Sequence, residues 1–88
     1  MSALDLQRLQ RLSAELEAAL QESLDPWAGP LLQQLQQTMA RVRAGTLTQP
    51  LKQAPGMRHF LESDLPGDER VRTLYHAWCA AVEGLPPP

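Results

Sequence analysis

Two pairs of residues in this chain have the types and the spacing that surface chemistry on a helix would use. His76 and Cys79 lie three apart, and so do His59 and Glu62. Residues three apart are neighbours on a helix, so either pair could offer two donors to one metal ion. Zinc sites, however, are normally marked by closely spaced cysteines, and Cys79 is the only one. On a helical wheel Cys79 falls at the edge of an apolar stripe, whereas His76 falls roughly 130° from its centre. The two pairs would meet only by tertiary accident, so no metal and no cofactor is expected.

Nucleophilic catalysis has equally little to work with. A Cys–His couple needs a neighbouring charge or a helix terminus to make the thiolate, and no such setting surrounds Cys79. It reads instead as a small core residue. A phosphate cradle needs a glycine-rich turn entering a helix, which Gly56 or Gly67 alone does not make. A helical enzyme with a pocket lined by Arg and Lys would need more basic residues facing inward. The expectation is a non-catalytic protein.

Charge says more by its distribution than by its total of −2. Residues 1–25 carry two basic and five acidic side chains, a balance of −3. Residues 26–61 carry Arg41, Arg43, Lys52 and Arg58 and no acid at all, and residues 62–88 return to −3. This basic middle either balances its acidic neighbours within the molecule or offers a surface to an acidic protein. As an alternative, segment 41–59 would bind nucleic acid or another polyanion weakly. Four fixed charges make a small phosphate footprint, and a pI of about 5.5 is low for a nucleic-acid binder, so that partner is disfavoured.

The elements that must position these residues are legible from apolar periodicity. At 88 residues the chain makes one small domain, burying roughly 60–65% of the surface its unfolded form exposes. Helix formers dominate, isoleucine is absent, and the eight prolines cluster at boundaries rather than inside periodic stretches. The first helix is expected over about 2–24, capped by Ser2 with Asp5 as the reciprocal half of a capping box. Leu9, Leu12, Leu16 and Leu20, flanked by Leu6 and Leu24, form its buried stripe, with Leu4 off to one side. A second helix over about 30–44 buries Leu31, Leu32, Leu35, Met39 and Val42 and stops at Gly45. A loop, 45–56, is expected to lie across the bundle through Leu47 and Leu51. A short helix near 57–63 turns Phe60 and Leu61 inward. The last helix, about 67–83, buries Val71, Leu74, Tyr75, Trp78 and Val82. Gly84 supplies its left-handed exit, and Pro86–Pro88 forbid continuation.

The expected fold is therefore all-α, a small bundle of three main helices plus one short helix. The expected function is that of an intracellular adaptor, chaperone or regulator that binds another protein. A single cysteine fits a reducing compartment, the N-terminus lacks the pattern of a secretory signal, and no stretch is apolar enough to cross a membrane. A cytoplasmic location follows as the expectation. Three features offer themselves as partner surfaces. The first helix would overhang the second, about 33 Å against 22 Å, so that Leu4 and Leu6 invite a second chain, a copy of itself or a different protein. Trp27, in a turn between two prolines, either closes one end of the bundle or presents an aromatic ring. Arg41, Arg43, Lys52 and Arg58 would converge if the loop folds back over the second helix. The glutamines crowding helices one and two form a solvated face or a neutral surface for a partner helix.

Overall fold

A computed structural model describes residues 4–85 and contains four α-helices, with no strand among those residues. They are α1 (Leu6–Glu22), α2 (Ala28–Ala44), α3 (Met57–Glu62) and α4 (Glu69–Val82), with a 3-10 turn, Leu65–Gly67, between the last two. This is the expected all-α bundle. Four of its boundaries shift by two residues or more: α2 begins at Ala28 rather than Pro30, and the other three shift for local reasons.

Helix α1 begins four residues later than the periodicity suggests. Asp5 is itself the cap, its carboxylate accepting the Arg8 N–H at 3.1 Å, and its own backbone is extended. Ser2, the expected cap, lies outside the described residues, as do Pro86–Pro88. Leu4 precedes the cap, the position from which a hydrophobic staple reaches back to the first turn, and it packs against the core. Helix α1 ends at Glu22, not Leu24. Ser23 turns extended, and Leu24, expected at the end of the buried stripe, is fully exposed. Helices α1 and α2 consequently have 17 residues each, so the expected overhang does not exist. Without it, the argument that Leu4 and Leu6 need a second chain loses its support.

Helix α4 starts at Glu69 because Pro66 and Gly67 are used in the 3-10 turn. Asp68 caps it, accepting the Val71 N–H at 3.2 Å. Both long exits follow one pattern. Gly45 and Gly84 are left-handed at φ of 73° and 74°. The next N–H in each case returns to a carbonyl of the last turn, Thr46 to Arg41 and Leu85 to Ala80.

The arrangement follows from a few long-range bonds. Arg70 of α4 pairs with Glu22 at the C-terminal end of α1, while the Trp78 indole reaches Ser13 near its middle. Helix α4 therefore runs antiparallel to α1. Helix α2 does too, because residues 23–27 connect them tightly and the Gln10 side chain donates to the Val42 carbonyl at the far end. The parallel helices α2 and α4 thus flank α1, and residues 46–62 fill the wedge between them as a strap.

The strap is held where its backbone satisfies α4. The Leu51 N–H donates to the Val82 carbonyl at 2.8 Å, supplying a partner to one of the helix's terminal acceptors. The Ala54 N–H donates to the Glu83 carboxylate at 2.9 Å, and the Tyr75 hydroxyl donates to the Pro55 carbonyl at 2.7 Å. Leu47 and Ala54 are buried, so the loop lies across the bundle as its leucines suggest. Phe60 follows it into the core against Tyr75, with ring centres 4.6 Å apart. Leu61, expected inward beside Phe60, is 63% exposed. A helix of six residues buries a single narrow face, and Phe60 occupies it.

Candidate interaction surface

The turn between α1 and α2 is closed by hydrogen bonds from side chains the sequence spells out. Ser23 Oγ accepts the Asp25 N–H at 3.2 Å, and Asp25 Oδ1 accepts the Trp27 N–H at 2.8 Å. Side chains of this type commonly close turns by bonding to backbone two residues on. Trp27 then begins α2, its carbonyl taking the Leu31 N–H. Trp27 remains 41% exposed, and Leu24, three positions earlier, is fully exposed.

His59, on α3, holds that indole from the other side. The two rings meet edge-on with centres 5.0 Å apart. His59 Nδ1 lies 3.1 Å from the Gln34 amide nitrogen, and its Nε2 is shut away from solvent without a hydrogen-bond partner. Trp27, Gln34 and His59 thus form one packed junction between α2 and the strap. Trp27 is packed on one side against His59 and is partly open to solvent elsewhere.

The four cations do not converge on one patch. Arg41 and Arg43 both lie in the last turn of α2, where cations suit the helix dipole, yet they point to opposite flanks. Arg43 turns to α1 and pairs with Glu17 at 3.2 Å. Arg41 stays on the flank of the strap, exposed. Arg58 pairs with Glu62 one turn along α3 at 3.1 Å and lines a cleft with Gln34 and Gln53. Lys52 is exposed in the strap. Arg41 therefore lies on the flank of α2 that carries Gln34, beside which Arg58 sits, and Arg43 does not. Leu6 is half-buried and reaches toward Gly45, and Leu4 packs on the core, so both belong first to this chain's own interior.

The residues that suggested chemistry are occupied structurally. His76 lies against Phe60, with ring centres 5.7 Å apart, on the outer side of α4. Among the described residues, no three of His, Cys, Asp and Glu gather as a metal site. Cys79 is buried, and burial pushes its thiol from the ordinary 9.0 up to about 11, against a smaller lowering by the Tyr75 hydroxyl. The same burial, with Cys79 alongside, drives the Tyr75 hydroxyl upward too.

These two shifts predict how the fold responds to alkali. Burial disfavours the thiolate and the phenolate, so the folded state keeps both protons to higher pH than the unfolded chain. The stability this contributes is complete below about pH 9 and is lost as pH rises through about 11. The urea midpoint should hold steady from about pH 7 to 9 and fall beyond it, and Tyr75→Phe combined with Cys79→Ala should flatten that fall. An equally steep fall in the double variant would assign the alkaline loss to other groups.

Sequence reasoning places Gln34 on a neutral partner face and His59 within segment 41–59 but joins neither to Trp27, and it misses the exposure of Leu24. Spacing alone puts Leu24 on the buried stripe, although the turn-forming Ser23 and Asp25 on either side of it are there to read. Comparison with known proteins returns no match to this chain, neither a family model, nor a curated protein, nor a solved structure.

Proposed function

We propose that this chain is a small non-catalytic protein-binding module, an intracellular adaptor, chaperone or regulator that acts through its helical surfaces. One observation carries the reading: Trp27 is a half-exposed aromatic already locked in place, by Asp25 beneath its backbone and His59 against its ring. Partly exposed tryptophans dominate binding energy when a partner covers them, and a ring ordered in advance loses little entropy on docking. The groups that catalysis would need are committed elsewhere. Cys79 stays protonated at neutral pH, the Tyr75 hydroxyl holds the strap, and Glu83 caps Ala54.

The test is affinity capture from the source cell with the immobilised full chain, wild type beside Trp27→Ala. A partner retained by wild type in high salt and lost by the variant is the expected result. The melting midpoint of Trp27→Ala should move by less than about 5 °C, because its truncated ring is only partly buried. Identical proteins captured by both chains would remove Trp27 from the interface. Steeply salt-dependent retention on heparin instead would favour the polyanion reading of segment 41–59.

A further inference from the structure

Trp27, Gln34 and Arg41 stand seven residues apart in turn, so on α2 they make a nearly straight row along one flank. The row is confirmed at its first two positions by a shared neighbour, since His59 touches both the Trp27 ring and the Gln34 amide. Fourteen residues at 1.5 Å each give the row a length of about 21 Å. Beside its middle, the strap contributes Arg58 and Gln53, which line one cleft with Gln34. The row therefore reads, from one end, exposed aromatic, amide with arginine, arginine.

Its charge is one-sided. No Asp or Glu occurs anywhere from residue 26 to residue 61, so α2 contributes no acid to this seam and the strap contributes only Glu62, at its end. The acids at its margins are already engaged: Asp25 closes the turn under Trp27, Glu62 meets Arg58, and the Glu83 carboxylate accepts the N–H of Ala54, which lines the same cleft. The Arg58–Glu62 pair is solvent-exposed on both sides, the kind that contributes little and exchanges readily for another carboxylate. Arg41 and Lys52 have no acid within ion-pair distance among the described residues.

We propose that this seam binds an extended acidic peptide segment of a partner protein, with an apolar side chain against Trp27 and carboxylates at Arg58 and Arg41. A strand advances about 3.3 Å per residue, so about six or seven residues run the length of the row. The carboxylates then fall about three residues apart, and the Gln34 and Gln53 amides face the peptide backbone between them. This deepens the protein-binding reading and rests on it. It specifies the chemistry of the partner where that reading names only the anchor.

The probe is a phage-displayed library of random peptides about eight residues long, panned on the full chain. Selected sequences should combine one large apolar residue with two acids two to four positions apart. Synthetic versions of the best binder should lose about tenfold in affinity with Arg41→Glu and again with Arg58→Glu, while circular dichroism melts stay close to wild type. Affinity should also fall as salt rises from about 0.05 to 0.5 M. Should either reversal unfold the chain, Arg41→Gln and Arg58→Gln give the same reading with smaller losses. Selected peptides that are apolar without acids would overturn the charge assignment, as would full affinity in both reversal variants. A library that yields no binder would overturn the extended-peptide mode, whereas Trp27-dependent capture of a folded protein would survive it. Binding of a single-stranded oligonucleotide in place of any peptide would transfer the seam to the polyanion reading.

Discussion

Trp78→Ala should leave the protein largely unfolded, or lower its melting midpoint by more than about 12 °C. Trp78 is wholly inaccessible to solvent, and stacks near Tyr75 with ring centres 6.3 Å apart. Truncating a buried aromatic to alanine costs about 3–5 kcal/mol. At roughly 0.05–0.15 kcal/mol per residue, a domain of this size has only about 4–13 kcal/mol in total. A second cost comes from the indole nitrogen, which donates to Ser13 Oγ at 2.8 Å inside the core. Removing the ring leaves that hydroxyl buried without its partner, for about 1–3 kcal/mol more. The two costs can be separated by Trp78→Phe, which retains most of the apolar area. Adding Ser13→Ala to Trp78→Phe should recover part of the loss, because both ends of the bond are then gone. Circular dichroism melts of the variants decide the matter. A Trp78→Ala midpoint within about two degrees of wild type would mean that the ring does not anchor the core.

Gly56→Ala should destabilise the fold by about 2–4 kcal/mol, an unusual effect for a single methyl group. Gly56 enters α3 with a φ of 82°, where a Cβ is already disfavoured. That Cβ would also stand 2.7 Å from Leu31 Cδ1 and 3.2 Å from Leu35 Cδ2. Both leucines are wholly buried, so neither can swing aside without opening the core. The strap would have to lift, straining the Tyr75 bond to Pro55 next to it. Gly67 provides the control. It is exposed at the end of the 3-10 turn, precedes Asp68 rather than a proline, and a methyl group added there would meet nothing within 4 Å beyond its chain neighbours. Gly67→Ala should be neutral or stabilising by up to about 1 kcal/mol. Urea titrations of the two variants should therefore differ clearly, with a loss only in Gly56→Ala. A loss in Gly67→Ala matching that in Gly56→Ala would show that close packing at Gly56 is not the cause.

The surface was partly legible for the same reason that the helices were. Trp27, Gln34 and Arg41 are spaced by sevens, and a heptad interval within a helix can be read from residue numbers alone. What spacing could not reveal is which flank faces the strap. Arg41 and Arg43, two apart on a helix, face opposite flanks by spacing alone, and only the Arg43 pair with Glu17 on α1 tells which of them lies away from the strap. Charges seen along a line gave one basic block, whereas the fold divides it between two faces.

Local chemistry alone determined most of the helix grammar. Apolar repeats marked the buried stripes of α1, α2 and α4. Gly45 and Gly84 marked two exits, because a left-handed residue costs glycine little and other residues much. Helix starts were harder, since Asp5 and Asp68 each competed with neighbours that could also begin a helix. Only the tertiary structure settled the path of residues 46–62, whose composition is that of a loop with few periodic constraints. Its course depends on distant partners: Val82 and Glu83 accept its N–H groups, Tyr75 donates to its carbonyl, and Leu31 and Leu35 leave room for Gly56. Leu24 and Leu61 show the same division. Their apolar character is written in the chain, but burial requires a surface to pack against, and the paths of α1 and α3 give them none. Periodicity reports which residues share a face, and only the packing of those faces decides which of them water still reaches.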